Sequence, residues 1–423
     1  MRFRLLLSLS PLTLLLGCPG ACDVYSPPSI ESAEIANCKL LEQSQQRQKY
    51  GHLSSGFPLL QQNLKNEGNF LVAVLPIDFD DVPGDENFLQ RIDEQMKLTT
   101  DWYHQVSAGR VQISWKVHDS WIRVPGSSID FALDRSRSDD DRLALTALRA
   151  SDPYFDFTGV SSVNFLLPAG QTFMAEGVQG FKHSQFGYAG HRTDEGPIYN
   201  YTLAGKYFDA PYRTLWSYWA HEMGHMFGMP DLYNVGSQWW NGEKFPYENY
   251  PFSGFDMMSS QDGPSRTLSS WIRFVFGWLD DDQVYCQSAS EISSLQVTLV
   301  PLDGEGDGYR SIVLPTSSSS AIVIDSRRPD TKFDCPGTGE ISSTWRGRTG
   351  VLVYTIDLTL GHSEGFAKPV VPSGRSAQRL ESCSAPEQLD ALLQPGDSVD
   401  VSGLTITVLS SGNFDTVSIS QNS

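Results

Sequence analysis

Apolar positions are spaced in two different ways along this chain, and the change falls near residue 286. Before it, long apolar runs alternate between strand and helix character: strands are predicted over 70–78, 110–117 and 161–167, and helices over 86–105, 139–150 and 210–227. Thr267 to Phe276 suits a further helix, stopped by Gly277. After 287 the runs shorten and turn residues separate them: Leu295 to Val300, Ser311 to Leu314, Ala321 to Ile324, Val351 to Ile356, Leu404 to Leu409 and Thr416 to Ile419. That is the pattern of a β-sandwich. The expected fold class is α+β, with a strand-and-helix domain over 68–286 and an all-β, sandwich-like domain over 287–423.

The amino-terminal pattern is of another kind. Arg2 and Arg4 precede an apolar stretch, Leu5 to Leu16, of 12 residues broken by Pro11. It is too short to span a bilayer and suits a secretory signal over 1–22. Leu15-Leu16-Gly17-Cys18 resembles a bacterial lipoprotein cleavage box, so a lipid anchor at Cys18 and free secretion with cleavage near Gly20 both stay open. Either places the protein outside the cytoplasm. Residues 23–67 are polar and read as a short pro-segment or tether.

With 423 residues, 40% of them hydrophobic, the chain can bury substantial cores in two or three domains. A net charge of −19 repels nucleic acid and anionic membrane. No stretch approaches the 18 or so apolar residues of a spanning helix.

The chemistry concentrates in eleven residues, His221 to Asp231, reading HEMGHMFGMPD. His221 and His225, four apart, share one face of the helix predicted to begin near Asp209 or Thr214, within reach of one metal. Zinc bound by neutral imidazoles lowers the pKa of its water to about 7, and the Glu222 carboxylate is placed to take that proton as the water attacks a carbonyl. By this chain's composition the five-residue core arises by chance in roughly one chain in a hundred, and adding Gly228 and Asp231 takes the odds to the order of 10⁻⁵ to 10⁻⁴. A buried helix with two satisfied histidines is therefore the weaker reading. Gly228 suits a left-handed helix stop, and Asp231, stiffened by Pro230, returns as a candidate third ligand, with a capping role as its alternative. Trp216, Tyr218 and Trp219 read as packing.

The string H-E-x-x-H-x-x-G-x-x-D, followed by Leu232-Tyr233, resembles the immune inhibitor A family of metallopeptidases, metzincin-like zinc endopeptidases with Asp where most metzincins have His. Phe255-Asp256-Met257-Met258 is similar to that family's methionine turn, and the resemblance gives Met258 the role of an apolar floor under the ligands and Asp256 that of fixing the turn. FLVAVLPIDFDDVPGD at 70–85 and Trp102-Tyr103 with Ser107-Ala108-Gly109 extend the likeness over roughly 68–286, and 322–329 and 350–354 more weakly. It implies a twisted mixed sheet above the zinc helix, with an antiparallel edge strand that pairs with extended substrate; Ile198 to Leu203 is one candidate for that edge. Some metzincins carry a tyrosine two residues after the methionine, where this chain has Ser260. Tyr233, Tyr250 and His191 remain alternatives for stabilising an oxyanion. Asp78, Asp80, Asp81, Asp85 and Glu86 offer oxygen ligands for a Ca²⁺ ion, without the EF-hand spacing, or form a solvated acidic loop.

The expected activity is zinc-dependent endopeptidase action on protein or peptide substrates. A binding protein retaining the helix as structure and a zinc hydrolase of other bonds are the alternatives. The cysteines, at 18, 22, 38, 286, 335 and 383, admit disulfides after export. Cys286 is expected to pair with Cys335. Cys38 is either a disulfide partner or a thiolate that holds the zinc latent.

Overall fold

An uninterrupted apolar run such as Phe70 to Ile77 needs cover on both of its faces, and the structure supplies it. The computed structural model describes residues 34–49, 51–60, 64–131, 139–169, 171, 178–181, 190–204, 214–234, 251–261, 263, 265–330, 332–334, 349–375 and 390–422. The segment 1–22, expected to be a signal and containing Cys18, lies outside them, as do Cys335, Cys383, Asp209 and Tyr250.

After a short α1 (Gln46–Lys49), the run forms β1 (Gly68–Asp78). α2 (Phe88–Val106) leads to β2 (Val111–Val117) and β3 (Ile122–Arg123), and α3 (Asp140–Ser151) to β4 (Val160–Leu166). β5 (Val178–Phe181), a ribbon of β6 (His191–Arg192) and β7 (Pro197–Ile198), and β8 (Asn200–Leu203) precede α4 (Leu215–Phe227). The main sheet runs β2-β1-β4-β8-β5, with β3 beside the end of β1. Its pairings are parallel except for β5, which runs antiparallel to β8. Phe70, Val72 and Val74 join α2 and α4 in one core, whereas Ala73, Leu75 and Ile77 join Leu143, Ala147 and Leu148 of α3 in another. The two-residue period of the strand thus feeds a helix layer on each face. One expectation fails here. Residues 200–203 are flanked on both sides, by β4 and β5, so the outer position belongs to β5.

α5 (Ser270–Val275) follows a tight turn and ends at Gly277, whose φ is 66°. The remaining strands are β9 (Val284–Cys286), β10 (Ser294–Leu299), β11 (Ser311–Pro315), β12 (Ser320–Arg327), β13 (Gly350–Asp357), β14 (Ala367–Pro369), β15 (Leu392–Leu393), β16 (Ser398–Val401), β17 (Leu404–Ser411) and β18 (Asp415–Gln421). They make two sheets, β14-β13-β12-β11-β9 with β15 beside β13, and β10-β18-β17-β16. Ile312, Ile322, Ile324 and Val353 of the first meet Val297, Ile406, Val417 and Ile419 of the second in a sandwich core. The alternate residues Val313, Val323, Leu352 and Tyr354 belong instead to the core that contains α4. At roughly 1.5–3 kcal/mol for each fully buried aliphatic side chain, this second contact welds the β region to the helices around the motif.

The segment ahead of β1 packs into the same core through Cys38, Leu40 and Leu64. Ser54 N donates to Gly228 O at 2.9 Å, and Trp271 Nε1 to Ser55 O at 2.8 Å. Cys286 is bonded to Cys38, not to Cys335. The pairing is topologically natural, since the 3-10 helix at Ile35–Cys38 lies against β9 and β11. A sulfur held in that bond is not a thiolate free to seal the metal site, which removes the latency role considered for Cys38. Among the described residues no helix is long and apolar enough to cross a membrane.

Candidate metal centre

A helix that is apolar nearly all round must be buried, and α4 is: of Leu215 to Phe227 only Glu222 is partly exposed. Thr214 takes the N-cap position with an extended backbone. At the other end Gly228 adopts φ 104°, with Met229 N donating to Gly224 O at 3.0 Å and Gly228 N to His225 O at 3.0 Å. This left-handed cap turns the chain back on itself. It brings the Met229 carbonyl to His225 Nδ1, at 2.8 Å, and returns Asp231 to the helix face carrying the histidines.

His221, His225 and Asp231, each about 5% exposed or less, converge so that their candidate ligand atoms lie within 4.8 Å of one another. His221 Nδ1 faces Met257 O at 2.9 Å. A carbonyl only accepts, so both Nδ1 atoms carry protons, and each Nε2 is the nitrogen whose lone pair becomes available once a metal takes the place of its proton. Asp231 Oδ1 lies 3.3 Å from His221 Nε2 and 3.2 Å from His225 Nε2, yet has no hydrogen-bond donor. Three acceptor atoms gathered at such distances out of water are a costly arrangement until positive charge joins them. The donor set, two imidazole nitrogens and one carboxylate oxygen, fits zinc.

Titration follows the same electrostatics. Burial draws the His221 imidazole down, but the neighbouring Asp231 and Glu222 carboxylates outweigh it and lift the pKa to about 9. Burial works against the Asp231 carboxylate too, and His225 with His221 overrides it, holding the group well below the usual range. Glu222 is pushed up, chiefly by burial. A carboxyl with a raised pKa beside a candidate cation site is a group that could exchange protons there.

Beneath the candidate ligands, Asp256 Oδ1 accepts from Met258 N at 2.7 Å, and Asp256 Oδ2 accepts from Ser269 N. The turn thus fixed carries Met258, fully buried, against α4: a Cβ on Gly224 would sit 2.9 Å from Met258 Sδ. Leu232 N donates to Met258 O at 3.0 Å, tying the turn to the returning segment that carries Asp231. The Tyr233 ring stacks parallel to His221 at 6.5 Å. His191 is held elsewhere, by Asp141 of α3 at 3.0 Å.

The acidic stretch after β1 is engaged by protein donors. Arg123 takes Asp78 and Asp80 at 2.7 and 2.8 Å, the Ser128 backbone and hydroxyl take Asp81 at 2.7 Å each, and Asp85 pairs with Arg91 at 3.5 Å. Among the described residues, the cluster with metal-binding geometry is His221, His225 and Asp231.

Sequence reasoning missed three contributors. His362 and Ser363, in the β13–β14 loop, contact Asp231 directly, and the ring of His362 lies edge-on to His225 at 5.9 Å. Burial pushes the His362 imidazole down to about 4, so the ring is neutral. Arg327, paired with the fully buried Asp325, donates to Phe255 O at 2.9 Å and so holds the methionine turn from the β region. A usable signal for the loop was present: a histidine between two glycines, Gly361 and Gly365, just after a buried apolar strand.

No family model and no curated protein matches this chain. Among solved structures, the chain is similar to that of catalytically inactive OgpA from Akkermansia muciniphila in complex with an O-glycopeptide substrate, glycodrosocin, at 11% identity over 74% of this chain and 93% of that one, with a TM-score of 0.28. A likeness so distant carries no argument about the site.

Proposed function

We propose that this chain is an extracytoplasmic zinc-dependent endopeptidase, built on a metzincin-like domain, with His221, His225 and Asp231 holding the metal and Glu222 as the general base. The observation that carries the reading is the trio of acceptor atoms, with Asp231 Oδ1 left without a donor between two imidazole nitrogens. Bound zinc would supply Lewis acidity, polarising a carbonyl and acidifying water. Glu222, partly exposed on the face of an otherwise buried helix, would take the proton of the attacking water and pass it to the departing amine nitrogen.

The main sheet supports the metzincin-like arrangement: parallel strands bordered by one antiparallel strand, β5, which is the outermost among the described residues and is of the kind that suits an extended polypeptide. Export agrees with the pattern of residues 1–22 and with the Cys38–Cys286 disulfide, since such bonds persist in oxidising compartments. Casein cleavage tests the assignment. Activity should stop with a zinc chelator and in Glu222→Ala, and full activity in that variant would overturn the role given to Glu222.

A further inference from the structure

Asp231 lies in no helix or strand, so nothing in its own backbone fixes where its carboxylate points. Its four polar atoms are nevertheless sharply divided. Asp231 N donates to His362 Nδ1 at 3.0 Å, Asp231 O accepts from Ser363 N at 3.1 Å, and Asp231 Oδ2 accepts from Ser363 Oγ at 3.3 Å. Two consecutive residues, 131 positions downstream of Asp231 at their nearest, hold three of the four atoms. The fourth, Oδ1, is the atom lying between the two histidines.

We propose that the β13–β14 hairpin loop is part of the metal centre, with His362 and Ser363 as positioning residues that orient Asp231 so that one chosen oxygen faces the metal. This rests on the zinc reading above and deepens it. The proton pattern is fixed by elimination. A backbone N–H can only donate, so His362 Nδ1 accepts, and the neutral ring keeps its proton on Nε2, which faces Ser363 Oγ at 3.1 Å. The hydroxyl is then free to donate to Asp231 Oδ2, closing a ring of bonds that fixes the side chain about its own rotatable axis. His362 Nδ1 and Asp231 Oδ2, 3.6 Å apart, are therefore neighbours and not an ion pair.

The loop is itself braced. Glu364 accepts from Gly361 N at 2.8 Å and from Gln46 Nε2 at 2.9 Å, and Gln43 N donates to Leu358 O at 2.8 Å. Asp357 N donates to Phe366 O at 2.8 Å across the base of the hairpin. Ser363 sits at φ 59°, and both its N–H and its hydroxyl reach Asp231. A ligand held by so firm a support loses less freedom when the metal binds, and such supports are worth about 10–100-fold in metal affinity.

The test is zinc affinity of the full chain, measured by competition with a chromogenic chelator, alongside melting of the metal-free protein to show that each variant folds. His362→Ala should bind zinc about 10–100-fold more weakly than wild type. His362→Asn, whose amide oxygen takes the place of Nδ1, should recover to within about threefold, and Ser363→Ala should weaken binding about three- to tenfold. Asp231→Ala is the reference for loss of the ligand itself. If it loses zinc while His362→Ala and Ser363→Ala bind as wild type does, the positioning role is overturned and the zinc reading stands. If His362→Asn binds as poorly as His362→Ala, the acceptor role is overturned. Should His362→Ala fail to fold, Ser363→Ala decides alone, and unchanged affinity there overturns the proposal. A wild-type chain that takes up no zinc, or an Asp231→Ala chain that binds it unimpaired, overturns both.

Discussion

The motif segment at 221–231 and the hairpin loop at 358–366 meet at Asp231, yet they are built by opposite means. The first is local: helix periodicity aligns two histidines, a glycine cap reverses the chain, and the third side chain arrives within a single turn of backbone. The second is reached only through a long chain of β pairing, because β13 must pair with β12, and β12 with β11, before the loop lies beside α4. On the proposed reading, the difference separates what would present ligand atoms from what would aim them. Chemistry is concentrated in eleven neighbouring residues, while its orientation depends on strands more than a hundred residues away.

Substitutions on the two sides of that meeting point should behave differently. The largest effect is expected at the motif: Glu222→Gln should lower peptide hydrolysis by about 10²–10⁴-fold with zinc affinity unchanged. Chelator competition and turnover on one preparation check this, and a parallel fall in zinc affinity would mean that Glu222 supports the ligands instead.

Arg327 tests the distant side through the methionine turn. Arg327→Met leaves Asp325, fully buried, without its guanidinium, and breaking such a pair costs about 3–5 kcal/mol. Urea unfolding measures the loss. A change below about 1 kcal/mol would show that the turn does not depend on the β region.

Within the motif, Gly224→Ala inserts a methyl group 2.9 Å from Met258 Sδ and 3.3 Å from Met229 Sδ. Overpacking of about 1–3 kcal/mol, partly offset by the roughly 0.5–1 kcal/mol that alanine gains over glycine in a helix, predicts a net loss of about 1 kcal/mol. A stabilised variant would contradict close packing of methionine sulfur beneath the ligand pair.

The smallest effect is expected in the sandwich. Burial works against the Asp415 carboxylate, but Arg328 at 2.8 Å and Ser326 at 2.7 Å outweigh it and depress its pKa. A depressed folded pKa contributes stability above the unfolded value of about 3.9 and loses it as pH falls through the folded value. The stability difference between wild type and Asp415→Asn should thus be present at pH 5 and 6 and shrink as pH drops below about 4. A difference that stays constant into acid would contradict that ion pair.

How much of this the sequence disclosed follows from the range of the forces involved. The helix bounds, the left-handed Gly228 and the convergence of His221, His225 and Asp231 depend on contacts within about three helical turns, and periodicity and spacing carry them. The longer strands were legible for the same reason, β1, β2, β4 and β8 in the first region and β10 to β13, β17 and β18 in the second, whereas short ones such as β3, β5, β9 and β14 to β16 were not. Strand order was not, because pairing is set between segments far apart; hence 198–203 stood as one candidate for the edge that β5 occupies. The Cys38–Cys286 bond escaped likewise, since with six cysteines nothing local selects partners 248 residues apart. The glycines around His362 marked a turn but not what the turn faces, and Arg327, at a strand end, carried no signature at all until the fold showed its partner.

The most direct test of the account is metal analysis of the natively purified chain together with the Asp231→Ala variant. One zinc per wild-type chain, absent from the variant, is the predicted result. A wild-type protein that carries no zinc, gains none on addition and cleaves no peptide bond when zinc is supplied would contradict it.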